Sequence, residues 1–158
     1  MQLDAKTTAF WQAFLTSLPQ ADDALARFYE VFHIGDSPES ADKGAALIKQ
    51  GVKTATSSLR WLYHASEKPL PAVGALSIVA DGRGDPVCIV ETISVEIKGF
   101  EDVGADFAHA YGEWDRSLET WRAHCWSFNA PRCRAIGKEP APDMPLVCER
   151  FAKLYPLA

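Results

Sequence analysis

The amino-acid sequence predicts an α+β fold in which helices flank a small mixed β-barrel or curled sheet. Several short segments are rich in β-branched residues or alternate apolar with polar residues, a pattern typical of strands. Short amphipathic helices interrupt these segments without the regular β-α-β alternation of a parallel sheet. A doubly wound fold fits poorly, since the chain contains neither a GxGxxG sequence nor a P-loop. The predicted strands cover residues 52–56, 75–79, 86–97 and 146–151.

A helical prefix opens the chain. Apolar residues recur at helical spacing from residue 7 to 18, and Pro19 stops or bends this helix. A second helix is predicted from residue 22 to 30. The sequence therefore indicates a helical extension, residues 1–32, packed on a domain of residues 33–158.

The domain begins with a helix whose two ends are marked by sequence. Asp36 or Ser37 can cap the exposed N–H groups of the first turn, and Pro38 suits the first helical position. Gly51 is placed to end the helix in a left-handed conformation, after which the chain becomes β-rich. The segment from Gly51 to Ser57 is thus predicted to be a helix-to-strand junction.

The second half of the chain alternates strands and helices. Turn-forming residues 81–85 join two of the predicted strands. A short helix is predicted over residues 102–110, and Ser117 opens another that carries its apolar stripe to Phe128. Four prolines fall in residues 129–145, which we predict to be a long loop before the last strand.

Composition limits the classes of function. The chain has 158 residues, 47% of them hydrophobic and 23% charged, as expected of one globular domain. Neither a long apolar run nor a signal sequence is present, so we expect a cytoplasmic protein without a membrane partner. The net charge of −5 argues against a general nucleic-acid binder, and no DNA partner is expected. The four cysteines are spaced unlike a zinc site and are expected to be reduced, with no metal or other cofactor.

Lys53 and the hydroxyl residues that follow it form the strongest chemical pattern in the sequence. A hydroxyl such as that of Thr56 becomes a good nucleophile only when a nearby base takes its proton. A lysine is protonated at neutral pH and can serve as that base only if burial or another cation lowers its pKa. The neighbouring hydroxyls of Thr54 and Ser57 are candidate substrate contacts.

Three ordered blocks between about Val31 and Phe128 carry a family resemblance. The first joins Gly35-Asp36-Ser37-Pro38-Glu39 to Gly51-x-Lys53-Thr54-Ala55-Thr56-Ser57-Ser58-Leu59. The second joins Pro71-x-Val73-Gly74-x-Leu76-Ser77 to Val87-Cys88-x-Val90-Glu91-Thr92. The third runs from Tyr111-Gly112-Glu113 through Asp115-Arg116-Ser117-Leu118 to Trp121-Arg122 and His124. Together they resemble the ASCH family (activating signal cointegrator homology) of the PUA-like superfamily.

The resemblance implies a PUA-like barrel and an RNA-related ligand. Small bacterial relatives in this superfamily are amidohydrolases that remove the acetyl group of N4-acetylcytidine with a Lys, a Thr and a separate Glu. The matching residues here are Lys53, Thr56 and Glu113, with Asp115 as a near alternative for the acid. In that reading Thr56 attacks the amide carbonyl, Lys53 accepts its proton, and Glu113 orients or protonates. Other relatives are described as single-strand ribonucleases, for which the residues to test are Lys53, Tyr63, Tyr111 and Ser127.

Further side chains are candidates for binding the substrate. Trp114 lies in a polar loop and can stack on a base, whereas Arg60 and Arg116 can pair with a phosphate or carboxylate. A third reading is a non-catalytic RNA-binding or ligand-sensing module. The expected partners are a modified nucleoside or single-stranded RNA, and the protein is expected to be a monomer or homodimer.

A geometric condition follows from the spacing of Lys53 and Thr56. Residues separated by an odd number point to opposite faces of a regular strand. A shared site therefore requires Lys53 to lie in the turn after Gly51, or a bulge near Thr54.

Overall fold

A computed structural model describes residues 2–157, which form a mixed α+β fold with a five-stranded sheet. The α-helices of this part of the chain are α1 (Ala5–Thr16), α2 (Asp22–Arg27), α3 (Pro38–Lys49), α4 (Arg60–Ala65), α5 (Ala105–Tyr111) and α6 (Leu118–Ala135). The strands are β1 (Phe28–Phe32), β2 (Ala55–Leu59), β3 (Leu76–Ala80), β4 (Pro86–Gly99) and β5 (Pro145–Tyr155). A short 3₁₀ turn, Phe100–Asp102, follows β4. The predicted fold class is confirmed.

The sheet has the strand order β1-β3-β4-β5-β2. The β1–β3 pair is parallel, whereas the other three pairs are antiparallel. Within residues 2–157 the sheet is not closed, because β1 and β2 form its two edges and do not pair with each other. The barrel expected from sequence is therefore an open one.

Helices cover both faces of the sheet. Side chains of α1, including Trp11 and Phe14, pack on Leu76 and Ile78 of β3. Val79, which points the other way from β3, packs with Ile48 of α3. A third cluster joins α5 and α6 to β2 and β5, with Phe107, Trp121, Leu59 and Leu146 among its buried members.

The ends of α3 follow the local rules read from the sequence. The Ser37 hydroxyl accepts a hydrogen bond from the Ser40 backbone N–H, and Pro38 stands at the first helical position. Gly51 follows the helix with φ +79°, in the left-handed region. β2 starts only at Ala55, so the predicted strand over residues 52–56 begins three residues too early.

Two other predicted segments were wrong. The second helix ends at Arg27, and residues 28–32 become edge strand β1, because their aromatic and β-branched side chains pair along β3. The predicted loop from residue 129 begins as helix, since α6 continues through Pro131 to Ala135. Asn129, Ala130 and Cys133 extend the buried face of α6, and this packing outweighs the backbone hydrogen bond that Pro131 cannot make.

All four cysteines are buried and free, as expected from the sequence. No helix in the described part of the chain is long and apolar enough to cross a bilayer. The division of the chain at residue 32 stays a prediction.

Candidate active site

A cavity of about 550 Å³ lies between the two edge strands of the sheet. Edge strand β1 contributes Glu30 and Phe32, and edge strand β2 contributes Thr56, Ser57 and Ser58. The sheet therefore curls until its open edges face each other across the cavity. The other lining residues are His33, Ile34, Gly35, Asp36, Ser40, Tyr63, Lys68, Tyr111, Glu113, Trp114, His124, Cys125, Ser127, Phe128, Asn129 and Glu149.

Gly112 brings Glu113 beside Lys53. It ends α5 with φ +76°, and a Cβ added to it would stand 2.5 Å from the carbonyl oxygen of Val52 and 2.7 Å from the Cα of Lys53. Any side chain at position 112 would collide with this backbone, so only glycine permits the close approach. The chain leaving α5 is thus pressed against the segment that leads into β2.

Lys53 is buried behind the cavity wall, with 1% of its surface exposed. Its Nζ lies 2.8 Å from Oε2 of Glu113 and donates a hydrogen bond of 3.1 Å to the backbone carbonyl of Tyr111. The same Nζ stands 3.2 Å from the centroid of the Tyr111 ring. Burial lowers the pKa of Lys53 to about 8, although the Glu113 carboxylate opposes the shift. Lys53 can therefore lose its proton much more readily than an ordinary lysine.

Glu113 connects this buried cation to the cavity. It lines the cavity, and 13% of its side chain is exposed. Its Oε2 atom is buried and has the Lys53 ammonium as its ion-pair partner. The contact is therefore chiefly Coulombic, and the neutral and charged forms of the pair differ by the position of one proton.

Thr56 lines the cavity in front of this pair. Lys53 precedes β2, so strand alternation does not force it away from Thr56. Among residues 2–157, Lys53 forms no hydrogen bond to Thr56. The hydroxyls of Thr56 and Ser57 lie near the Tyr111 phenol, whose pKa is raised chiefly by burial, and they oppose that shift. Three hydroxyl groups are thereby gathered at the cavity wall.

A stack of aromatic rings forms one rim of the cavity. The Trp114 ring lies 4.0 Å from that of His124 at an interplanar angle of 5°, and 5.8 Å from that of Tyr111 at 14°. Trp114 is 46% exposed and has φ +57°. The three rings thus form a stack at the rim of the cavity, with Trp114 partly open to solvent.

A second carboxylate, Glu149, lines the same cavity. Its Oε2 accepts a hydrogen bond from the Thr92 hydroxyl. Burial raises the pKa of Glu149, and the nearby Glu30 adds to the shift. Glu30 itself is ion-paired with Lys68.

A model of the ASCH domain matches residues 30–155. This chain belongs to the ASCH domain family. An ASCH domain from Lactobacillus crispatus has a similar solved structure, with a TM-score of 0.89, 29% identity, and coverage of 97% of this chain and 96% of that one. A protein from Enterococcus faecalis has a TM-score of 0.81 and 30% identity, covering 93% of this chain and 86% of that one.

Two further comparisons add less. A hypothetical protein of known structure has a TM-score of 0.51 and 14% identity over 80% of this chain and 99% of its own, which shows a shared fold alone. No curated protein matches the chain. The ASCH family is generally associated with RNA.

The ASCH domain places the residues selected from its sequence in two groups. Thr56, Ser57, Tyr63, Tyr111, Glu113, Trp114 and Ser127 line the cavity, and Lys53 lies directly behind it. Thr54, Arg60, Asp115 and Arg116 do not line it.

These four residues make local contacts instead. Thr54 bonds to the carbonyl of Ala110, and Arg60 donates to His64. Asp115 accepts hydrogen bonds from Ser117 and Thr120 at the start of α6, which lower its pKa. Arg116 donates to the carbonyl of His109.

Sequence reasoning missed three charged residues of the cavity lining, Glu30, Lys68 and Glu149. The predicted helix over residues 22–30 includes Glu30, but Glu30 lies on edge strand β1, and this position brings it to the cavity. Glu149 was placed correctly in the last strand, but only the pairing of β5 with β2 brings it to Thr56. No group of three or more side chains in the described residues is arranged to hold a metal ion.

Proposed function

We propose that this ASCH domain hydrolyses the acyl amide of a small modified nucleoside, for which N4-acetylcytidine is the model substrate. The observation that carries the proposal is the Lys53–Glu113 pair: a buried lysine with a pKa lowered to about 8, joined at 2.8 Å to a carboxylate that lines a cavity beside Thr56. Perturbed acid–base pairs of this kind, set in a cavity, are typical of catalytic sites.

Each member of the site has a role in amide hydrolysis. The Thr56 hydroxyl attacks the amide carbonyl, and the Lys53–Glu113 pair accepts its proton. Because Glu113 and not Lys53 lines the cavity, the proton enters through Glu113 and passes to a neutral Lys53, which restores the ion pair. The product of this half-reaction is an ester on Thr56, which water then hydrolyses to release the acid.

The charge of the cavity favours a nucleoside over an RNA strand. Its lining includes four carboxylates, Glu30, Asp36, Glu113 and Glu149, against one lysine, Lys68. Lys68 is already ion-paired with Glu30. Phosphate binding depends on Lys and Arg side chains, so a polyanion is a poor ligand for this lining. A volume of about 550 Å³ is within the range of about 300–1,000 Å³ typical of small-molecule sites.

The proposal also includes a cytoplasmic location, for which four free buried cysteines are the support. RNA-related chemistry agrees with the general association of the family. The exposed Trp114 ring at the rim supports recognition of a base by stacking.

The experiment measures release of cytidine from N4-acetylcytidine by liquid chromatography for wild type and for Thr56→Val. This variant removes the hydroxyl while keeping the shape of the side chain, and we expect turnover to fall at least about 1,000-fold. The matched control is Thr8→Val, which removes an exposed threonine hydroxyl on α1.

Single-stranded RNA is assayed in parallel with the same proteins. Cleavage of RNA without deacetylation of N4-acetylcytidine would replace the proposal with the ribonuclease reading. Binding of either compound without turnover would indicate a non-catalytic module.

A further inference from the structure

We infer that Glu149 is a second catalytic carboxyl, which protonates the leaving nitrogen of the amide; this inference rests on the proposed function above. Glu149 of β5 is paired directly with Thr56 of β2 in the antiparallel ladder. Directly opposed residues share a face of the sheet, with Cβ atoms about 4.5–5.5 Å apart. Both side chains line the cavity. A nitrogen attached to the carbon that Thr56 attacks therefore comes within reach of Glu149.

The surroundings of Glu149 differ from those of the other acids that line the cavity. Glu30, Asp36 and Glu113 each form an ion pair, whereas Glu149 has none within residues 2–157. Its fixed partner is the buried hydroxyl of Thr92, which donates to Oε2 and sets the direction of the carboxyl group.

The titratable groups that face Glu149 come from several elements. They are Glu30 on β1, Lys68 after α4, Tyr29 on β1 and Tyr63 on α4. Burial is the largest influence and raises the pKa of Glu149; Glu30 raises it further, while Thr92 and Lys68 oppose the shift. The carboxyl group is thus disposed to retain a proton, which an acid catalyst needs.

The proton inventory balances over two half-reactions. When the C–N bond breaks, its electron pair goes to nitrogen, Glu149 supplies the proton, and the free amine leaves. The acyl group remains on Thr56, whose own proton is held by the Lys53–Glu113 pair. Water then attacks the ester and gives its proton to the Glu149 carboxylate, while the pair returns a proton to the Thr56 oxygen. Both acids end in their starting states, and one water has been consumed.

The experiment compares two substrates that differ in their need for an acid. N4-acetylcytidine releases an amine, which must be protonated, whereas 4-nitrophenyl acetate releases a phenolate, which leaves without a proton. Glu149→Gln keeps an acceptor for the Thr92 hydroxyl but has no acidic proton. We expect this variant to lose about 100- to 10,000-fold in turnover of N4-acetylcytidine and to acylate with 4-nitrophenyl acetate within about threefold of wild type.

Two additional variants and one titration complete the test. Glu149→Asp, a shorter acid, should recover part of the amide activity that Glu149→Gln loses. Glu96→Gln on β4 is the control for the chemical change, since that side chain is 57% exposed. Carbon-13 NMR of the Glu149 carboxyl in wild type should place its titration above the ordinary range of glutamate.

The possible outcomes separate the two proposals. If wild type deacetylates N4-acetylcytidine and Glu149→Gln does so equally well, the acid role is overturned while the proposed function stands. Equal losses on both substrates would also overturn it, because they indicate a structural role. If wild type hydrolyses neither substrate, the proposed function fails and the inference fails with it.

Discussion

Two carboxylates of the cavity lining, Glu113 and Glu149, lie in different electrostatic settings. Glu113 has the Lys53 Nζ 2.8 Å behind it and forms an ion pair with it. Glu149 has no ion-pair partner among the described residues and lies near Glu30, and the pKa of Glu149 is raised by burial. The same residue type therefore contacts a cation at one position of the lining and a hydroxyl at the other, and the proposal gives the two glutamates different roles. Environment, and not residue type, assigns the two roles.

The largest expected effect comes from removing the cation behind Glu113. In Lys53→Met the carboxylate loses its partner, and we expect turnover of N4-acetylcytidine to fall at least about 1,000-fold. Breaking a buried ion pair by removing one member typically also destabilises a protein by about 3–5 kcal/mol. Activity assays and urea denaturation measure the two effects, with Lys49→Met, an exposed lysine at the end of α3, as the matched control.

The double variant Lys53→Met with Glu113→Leu separates stability from function. Replacing both charges with apolar side chains should restore much of the lost stability, since no unpaired charge remains. Activity should stay absent. A double variant as unstable as the single one would show that the pair is mainly structural. The comparison of Glu113 with Glu149 as two catalytic groups would then no longer hold.

The sequence predicts well those parts of the site that depend on neighbouring residues. The cap at Ser37 and the left-handed Gly51 follow from local backbone chemistry, whereas the predicted strand over residues 52–56 wrongly includes Lys53. The contribution of Glu149 to the site could not be predicted in this way. Thr56 and Glu149 meet only through the register of β2 with β5, which pairs segments 93 residues apart, and no local pattern specifies that register.

Errors in the predicted elements have the same origin. Residues 28–32 carry apolar side chains at spacings that suit a helix or a strand, and their pairing with β3 decides between the two. Because the predicted helix includes Glu30, the sequence does not predict Glu30 as a residue of the site. Pro131 likewise suggested a loop, although burial of Cys133 and its neighbours continues the helix.

A smaller effect is expected from changing the backbone contact beneath the Glu113 wall. Gly112→Ala would place a Cβ 2.5 Å from the Val52 carbonyl oxygen in addition to adopting a positive φ. Gly137→Ala has nearly the same φ, +75°, but has no atom within 4 Å of the new Cβ. Strain alone should therefore cost about 1 kcal/mol in Gly137→Ala, whereas Gly112→Ala should cost a further 1–3 kcal/mol, roughly, from overpacking.

Chemical denaturation of both glycine variants measures these costs. Gly112→Ala should also reduce turnover, because the displaced backbone carries Lys53 away from Glu113. Equal destabilisation of the two variants would show that conformation alone, and not the contact with residues 52–53, makes glycine necessary at position 112.

The most gradual effect is the pH dependence of stability contributed by Lys53, which is spread over more than two pH units. The pKa of Lys53 is about 8 in the folded protein, below its ordinary value of 10.5. Between these two values the unfolded chain binds more protons than the folded one, so the free energy of unfolding rises with pH. The gain is absent below about pH 8 and complete above about pH 10.5, and it amounts to a few kcal/mol at most, on the order of 1.4 kcal/mol per pH unit.

Comparison with Lys53→Met isolates this contribution, because other groups titrate in both proteins. Urea denaturation at pH 7, 8, 9 and 10 should show the stability of wild type increasing relative to that of the variant across this range. The cation that faces Glu149, Lys68, is ion-paired with Glu30, so Glu149→Gln should follow the wild-type curve over the same interval. A wild-type curve parallel to that of Lys53→Met would mean that Lys53 keeps an ordinary pKa, and Glu113 would then have to accept the Thr56 proton without help from a neutral lysine.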